Sequence, residues 1–459
     1  MHRKKVVIIG AGISGLAAGW YLRQAHLPID IVFLEKSPRA GGWIQTDYTT
    51  NYLFEKGPRA FKADKAPAIL RLIRELDLSS ELIWSRERPH HRYLWHQEAL
   101  HRFPTNPLAF LVSPLTKGFI RALLTEWKQP VRKGDETVWE FVLRRFNYDV
   151  ARLFFDPLVV GIFGGDIRKI SVKACFPLLK QWEEMEGSIT KGFLRAARMK
   201  RNSPSCSADI PHLPLSALFS LRLGLEMIPK ALVEQMNASF VYNTEVKGIR
   251  RLSDRSLEIE TSEGVEKADF VIVASPAKEA SLLLKSHTPS LSHELANVYS
   301  QGIAIVNTGY DNGVLPVEGF GYLTSTYSNE DILGVVFDSS VFPEMNTRPS
   351  ETRLTIKLEE NGKSEEEYVQ LALKGIRKHL NISGTPKAIH CKRASRAIPQ
   401  YRVGHLEKME QLDQELRSSF PECYLVGNYI SGVSVDACIT RARHVVTNQM
   451  IPLLRPHGV

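Results

Sequence analysis

Gly10-Ala11-Gly12-Ile13-Ser14-Gly15 is the stretch that decides the fold. Its glycines follow the G-x-G-x-x-G spacing, a pattern with meaning only where it follows a strand and opens a helix. Both conditions are met. Val6–Ile9 is a continuous β-rich apolar run, Ile13–Ala25 has helical composition, and Ile29–Leu34 reads as a second buried strand. The first glycine permits the tight turn, the second lets backbone approach a pyrophosphate, and the third lets helix and strand pack closely. The exposed amides and the helix dipole at the turn then favour phosphate charge. Glu35 follows Gly15 by 20 residues, at the end of the second strand, where a carboxylate can accept hydrogen bonds from a ribose. A Rossmann unit that binds nothing is the bland alternative; strand, glycines, helix, strand and acid together argue against it.

The rest of the chain alternates between unlike kinds of material. Residues 86–205 look mostly helical, broken at Pro104, Pro107, Pro114 and Pro130. Residues 239–275 alternate like antiparallel strands, over Phe240–Val246, Ser256–Thr261 and Phe270–Val273. Residues 300–360 are again strand-rich, and Glu365–Lys378 reads as a helix. At the far end Tyr424–Val426 reads as a strand, followed by a glycine turn and a helix over Val435–Met450. Strand–helix signals at both ends predict an α/β protein (α+β overall) built on a discontinuous Rossmann-type domain, in parts 1–85, 206–295 and 391–459. A helical, basic insertion at 86–205 and a mixed-sheet substrate domain at 296–390 complete the expectation.

With 459 residues, 43% hydrophobic and 24% charged, the chain can bury a large core and has no compositional mark of disorder. Its five cysteines, Cys175, Cys206, Cys391, Cys423 and Cys438, are sparse and form no C-x-x-C pair, which argues against a disulfide framework or a zinc knuckle. No apolar run has the length of a signal-peptide core or of a spanning helix. These features together predict a cytoplasmic protein that binds no metal. The formal charge is +9, and residues 86–201 hold 21 Lys and Arg against 12 Asp and Glu, which accounts for the whole excess. Such a segment suits acidic lipid, an acidic substrate or nucleic acid, or is simply a solvated helical face. No nucleic-acid recognition motif accompanies it.

Leu34-Glu35-Lys36-Ser37-Pro38-Arg39-Ala40-Gly41-Gly42 resembles the second signature of the amine-oxidase-like flavoproteins, and Tyr424-Leu425-Val426-Gly427-Asn428 with Gly432-Val433-Ser434-Val435-Asp436 resembles their C-terminal return. More closely, the chain resembles the protoporphyrinogen oxidase family. Matching segments run in order from Gly41-Gly42-Trp43-Ile44 and Glu55-Lys56-Gly57-Pro58-Arg59 through Asp135–Val138, Asp156–Asp166, Cys175–Pro177 and Gly224–Pro229 to Ile398–Tyr401. The resemblance implies FAD, held by Gly10, Ala11, Gly12, Ile13, Ser14, Gly15, Glu35, Lys36, Arg39, Gly42, Trp43, Gly57, Pro58, Arg59, Val246, Gly427, Val433, Ser434 and Val435. For Arg59 a structural role is the alternative. It also implies a six-electron oxidation of a porphyrinogen in three two-electron steps, with oxygen as acceptor and hydrogen peroxide released. The flavin carries that chemistry, so no side chain is expected to be catalytic in its own right.

By the same resemblance Arg92 pairs with a substrate propionate, which a guanidinium can bind bidentately; read alone, it is an ordinary basic-segment arginine. Phe320 and Leu323 sandwich the macrocycle, or else pack a core. Gly161 lies where backbone approaches the ring, or is a turn. Lys357 stands where a close relative has an apolar methionine, and either binds a further carboxylate or faces water. That departure keeps coproporphyrinogen III, with four carboxylates, beside protoporphyrinogen IX, with two. His90, His91 and His96 are assigned no role. The helical insertion corresponds to the family's membrane-contacting region, implying peripheral attachment to the inner face of a membrane, with a helical cap over the cavity as the alternative; a homodimer is admitted. The competing readings are an amine oxidase, for which neither an aromatic cage nor a flavin-facing lysine is found, a carotenoid-type desaturase, and a flavin-binding scaffold without turnover.

Overall fold

The structure is a computed structural model, and it describes residues 3–48, 51–85, 91–104, 107–202 and 217–455. His90 and Cys206 lie outside the described residues.

The apolar run at the N-terminus forms the strand Lys4–Ile9, in which Val6, Val7 and Ile8 are wholly inaccessible and Ile9 nearly so. Four consecutive apolar residues, Val6–Ile9, are buried on both faces, as in the middle of a parallel sheet. Theirs is the central strand of five, all parallel, in the spatial order Ser239–Val241, Ile29–Leu34, Lys4–Ile9, Phe270–Val273, Cys423–Leu425. These strands come from three separate stretches of chain, so the sheet closes only when both ends have been made. One face packs on helices Ile13–Gln24, Pro67–Glu75, Met227–Gln235 and Val435–His444; the other packs on the meander Val246–Ala268 and helices Ala277–Leu284 and His405–Ser419.

Two expected elements take other forms. Ser239–Val241 and Phe270–Val273 are parallel strands of this sheet, and the antiparallel meander is Val246–Arg251, Leu257–Thr261 and Gly264–Ala268. Alternation reports a pleat and is silent on the direction of the partner strand. The C-terminal helix ends its α-helical part at His444 and continues as a π-type turn through Met450.

A second sheet of seven strands runs in the order Ala388–Pro399, Ser300–Tyr310, Thr352–Glu359, Ile332–Phe337, Gly321–Thr324, Arg92–His96, Ala99–Arg102. Its last two strands form a hairpin drawn from the segment expected to be helical. Helix Glu365–Leu380 covers one face. It starts on a capping box in which Ser364 and Glu367 exchange side-chain and backbone bonds, carries Glu365–Glu367 in its first turn and Arg377–His379 in its last, and stops at left-handed Asn381. Its buried positions Tyr368, Ala372, Ile376 and Leu380 recur every four residues and lie on the sheet.

The remaining helices, between Pro107 and Asn202, enclose a polar network. Arg144, Arg145 and Lys180 meet Glu126, Glu136 and Glu183, five of the six having side chains at most 2% accessible. Removing one partner from such a set leaves an uncompensated charge, at a cost of about 3–5 kcal/mol. The set holds three cations and three anions, so it leaves the basic excess of the segment to its other residues. No helix among the described residues is long and apolar enough to cross a membrane, and no group of three or more His, Cys, Asp or Glu among them could hold a metal ion.

Candidate active site

The dinucleotide turn meets the three demands made of its glycines. Gly10 has φ of +100°, a left-handed value that L side chains rarely adopt. A methyl group on Gly15 would overlap the carbonyl oxygen of Gly10, so helix and strand touch there. A methyl group on Gly12 would meet no atom within 4 Å, which leaves an open cradle at the N-terminus of the helix Ile13–Gln24. Glu35 faces this turn and accepts hydrogen bonds from the backbone amides of Ala11 (2.7 Å) and Ser37 (2.8 Å). A carboxylate has about four lone-pair positions, so two remain for a ribose.

The paired glycines pack across the same turn, with Gly41 N–H donating to Ala11 at 2.8 Å. Arg39 fixes this loop: its guanidinium donates to the carbonyls of Ala40 (2.8 Å), Ile44 (3.2 Å) and Gly42 (2.8 Å). Trp43 stands 41% exposed, under the ammonium of Lys392. Gly57 presses on the carbonyl of Trp43, tying Gly57-Pro58-Arg59 to the loop. Lys36 is turned to solvent and ion-paired with Glu245 at 2.6 Å, next to Val246, which packs against the second core.

The C-terminal return arrives beside these elements. Gly427 follows the strand Cys423–Leu425, Val433 packs against the helical segment, and Val435 is buried against the first core. Ser434 caps the helix Val435–His444 by accepting from Ala437 N–H at 3.1 Å. Asp436 then reaches across and accepts from Ala68 (2.7 Å) and Ile69 (3.0 Å), capping the helix Pro67–Glu75. Tyr401 ties the return down: its hydroxyl donates to Asn428 O at 2.6 Å and accepts from Gly432 N–H at 2.8 Å. The residues fit a dinucleotide. The Gly12 cradle is open, and the Ser275 hydroxyl, in the strand-end turn against Gly10, is buried without a protein partner.

The expected substrate residues gather on the face of the seven-stranded sheet opposite helix Glu365–Leu380. The Arg92 guanidinium stands over the Phe320 ring, 5.3 Å from its centre. Leu323 lies against Gly161, where an added methyl group would come within 2.6 Å of it. The ammonium of Lys357 donates to the Gly161 carbonyl at 3.5 Å. Arg59 closes the group, pairing with Asp338 at 3.2 Å. Behind it, Asp338 accepts from the Thr355 hydroxyl (2.6 Å), and Thr355 accepts from Asn307 (2.8 Å), whose own side-chain oxygen is buried without a partner.

Glu55 is buried on the same side and accepts from Leu225 N–H (2.7 Å) and the Thr46 hydroxyl (3.1 Å). Burial outweighs both donors and pushes its carboxyl up to about 8. The folded protein therefore keeps a proton that the unfolded chain releases near pH 4.5, so this residue costs stability increasingly as pH rises from about 4.5 to 8. Glu55→Gln, which mimics the protonated form, should flatten that part of the stability–pH curve by a few kcal/mol, each tenfold change in proton affinity being worth about 1.4 kcal/mol. Denaturation midpoints at pH 5, 6.5 and 8 check it.

The family described as flavin containing amine oxidoreductase matches this sequence over residues 13–448. The chain belongs to that family. This flavin-dependent oxidoreductase is 33% identical to the protoporphyrinogen oxidase of Homo sapiens over 467 residues, covering 97% of this chain and 98% of the relative. It is 28% identical to the coproporphyrinogen III oxidase of Bacillus subtilis, with 98% of each chain covered. A crystal structure from Exiguobacterium sp. superposes with a TM-score of 0.84 at 24% identity, covering 99% of this chain and all of that one. FAD is the cofactor of this oxidoreductase.

Several residues of the site carry no mark in the sequence strong enough to single them out. Ser275 sits in Ala274-Ser275-Pro276 after an apolar strand, and that strand-end turn is the one signal that could find it. Lys392 and Asn307 lie in strands with no local motif, and only pairing brings them to the site. Asp338 and Tyr401 follow Phe337 and Gln400 in matched or apolar stretches, and their roles are long-range bonds that spacing does not encode.

Proposed function

We propose that this flavin-dependent oxidoreductase oxidises protoporphyrinogen IX to protoporphyrin IX, with molecular oxygen as the final acceptor. The observation that carries the reading is the 33% identity to human protoporphyrinogen oxidase over practically the whole of both chains. FAD held in this site would supply the two-electron acceptor for each of three oxidations, with three molecules of oxygen reduced to three of hydrogen peroxide overall. The protein's own contribution is placement. Arg92 holds a propionate bidentately, with its guanidinium stacked over the Phe320 ring beneath it. Leu323 and Gly161 present an apolar wall and a close backbone to the macrocycle. Gly10–Gly15, Glu35, Lys36, Arg39, Gly42, Trp43, Gly57–Arg59, Val246, Gly427 and Val433–Val435 surround the dinucleotide. The N-terminus of the helix Val435–His444 directs partial positive charge toward it. Coproporphyrinogen III, oxidised by the same chemistry, is the second reading, supported by the Bacillus subtilis relative.

Purified protein mixed in air with fresh protoporphyrinogen IX, and in parallel with coproporphyrinogen III, should develop porphyrin fluorescence. A yellow protein that oxidises neither would overturn the porphyrinogen reading and leave the flavin fold intact.

The helical segment is the surface assigned to a membrane. Leu124 is 70% and Trp127 53% exposed, with Lys128 over the indole; Phe193, Leu194 and Met199 are exposed on the helix Ile189–Asn202, which also carries Lys191, Arg195 and Arg198. Exposed apolar residues among basic ones suit an anionic bilayer surface. Flotation with phosphatidylserine vesicles at low salt should carry the protein upward; protein left at the bottom would refute this surface.

A further inference from the structure

The pairing of the seven-stranded sheet sorts its residues onto two faces. Tyr93, Tyr322, Val335, Ile356 and Val306 stand in one row across five strands and pack under helix Glu365–Leu380. Side chains alternate along each strand, so Leu94, Leu323, Gly334, Lys357 and Ile305 form a row on the opposite face. Two residues along each strand on that same face lie Arg92, Gly321, Val336, Thr355 and Asn307. Three strand spacings separate the strand of Arg92 from that of Lys357, about 14 Å. Between them the row is apolar or bare: Leu323, with Gly334 beside it, where any side chain would strike Leu323 and the Tyr322 carbonyl. The face therefore has a cation near each end and an apolar floor in the middle.

Lys357 is poorly matched by its protein neighbours. Its ammonium has one carbonyl, at the 3.5 Å limit of hydrogen bonding. The carboxylate whose charge reaches it, Asp338, is already engaged by Arg59 and by Thr355. Among the described residues Lys357 forms no ion pair. A half-buried charge without a close partner is costly, and it is relieved by an arriving anion.

We propose that Lys357 is a second carboxylate anchor, at the end of the substrate face opposite Arg92, and that it selects porphyrinogens bearing carboxylates on both edges of the macrocycle. The proposal rests on the porphyrinogen reading above and, between its two substrates, favours coproporphyrinogen III, the second of them. Burial, and after it the Arg59 guanidinium, push the free amine down to about 8, as expected of a cation lacking its counter-ion. A macrocycle whose propionates sit on one edge alone satisfies Arg92 and leaves vinyl or methyl groups at Lys357. One with propionates on both edges satisfies each cation.

The test compares wild-type and Lys357→Met holoenzyme, both checked for full FAD content. It measures kcat/KM for coproporphyrinogen III and for protoporphyrinogen IX, and, without turnover, the Kd of coproporphyrin III and of protoporphyrin IX by quenching of porphyrin fluorescence. The expected result is at least a tenfold fall in the coproporphyrinogen-to-protoporphyrinogen ratio of kcat/KM, matched by the ratio of the two affinities, with Lys357→Arg restoring most of both. Unchanged ratios, or equal losses on both compounds, would overturn the anchor while leaving the porphyrinogen reading in place. Wild-type protein that neither binds nor oxidises either compound would overturn that reading, and the anchor with it.

Discussion

Gly15→Ala is expected to yield a protein that neither holds FAD nor matches the wild-type thermal stability, whereas Gly12→Ala should lose the flavin and keep the fold. The two glycines belong to one motif but meet different surroundings. A methyl group on Gly15 would overlap the Gly10 carbonyl and approach Ala274 Cβ at 3.1 Å and Ile8 Cγ2 at 3.2 Å. These are a backbone atom and two groups held in the central sheet, and none can swing aside. The helix Ile13–Gln24 would have to lift from the strand Lys4–Ile9, opening the core that Leu16, Ala17 and Trp20 help to form. Overpacking of this kind costs about 1–3 kcal/mol, more where backbone is involved. In a domain of this size that is a fall of roughly 2–12 °C in Tm. The Gly12 position has φ of −72°, which alanine adopts without strain, and its methyl group would enter open space. In dinucleotide-binding turns of this pattern, that is the space through which a pyrophosphate approaches the backbone. Flavin absorbance relative to protein absorbance reads the first effect, and melting of the two apoproteins reads the second without the stabilisation that bound ligand adds. Gly12→Ala protein purified with a full complement of FAD would refute this use of the cradle.

The contrast also explains how far the sequence can be read. The first βαβ unit is legible to within one or two residues because every signal in it is local: an apolar run, glycines at fixed spacing, a helix, a second run, an acid. Phe270–Val273 and Cys423–Leu425 are legible as strands, but their parallel direction depends on partners hundreds of residues away. The hairpin Arg92–Arg102 reads as part of a helical segment because it is short and bordered by a basic, helix-rich stretch; the edge of a distant sheet makes it a strand. The candidate site divides in the same way. Residues in turns of fixed geometry, from Gly10 to Arg39 and from Gly427 to Val435, announce themselves. Asp338, Asn307, Ser275 and Lys392 do not, since each matters through a contact made only after the sheets have closed. Arg92, Phe320, Leu323 and Lys357 are intermediate: the resemblance to a family points to them, strand register shows that Arg92, Leu323 and Lys357 share a face, and the Arg92 guanidinium over its ring places Phe320 beside them.

That register gives Lys357→Met a second expected consequence, on stability, and here the sign is informative. The lysine's folded value lies near 8 and its unfolded value at 10.5. Below pH 8 both states carry the proton, and the folded protein bears the cost of holding a partly buried ammonium. Between pH 8 and 10.5 the folded protein has released the proton while the unfolded chain retains it, so stability rises with pH through that window; above it the cost is gone. The gap between the two values corresponds to about 3 kcal/mol. Methionine nearly matches the length of the side chain and has no charge to bury. Lys357→Met is therefore expected to be more stable than wild type by about 2–3 kcal/mol at pH 7, with the gap narrowing toward pH 10. Urea denaturation of the apoproteins at pH 7 and pH 10 measures it. A variant no more stable at pH 7 would mean that the ammonium already has adequate partners in the free protein, and the case for an anionic ligand would weaken with it. A variant that gains stability while losing its preference for carboxylates on both edges would show a residue kept at a cost to the fold because the ligand needs it.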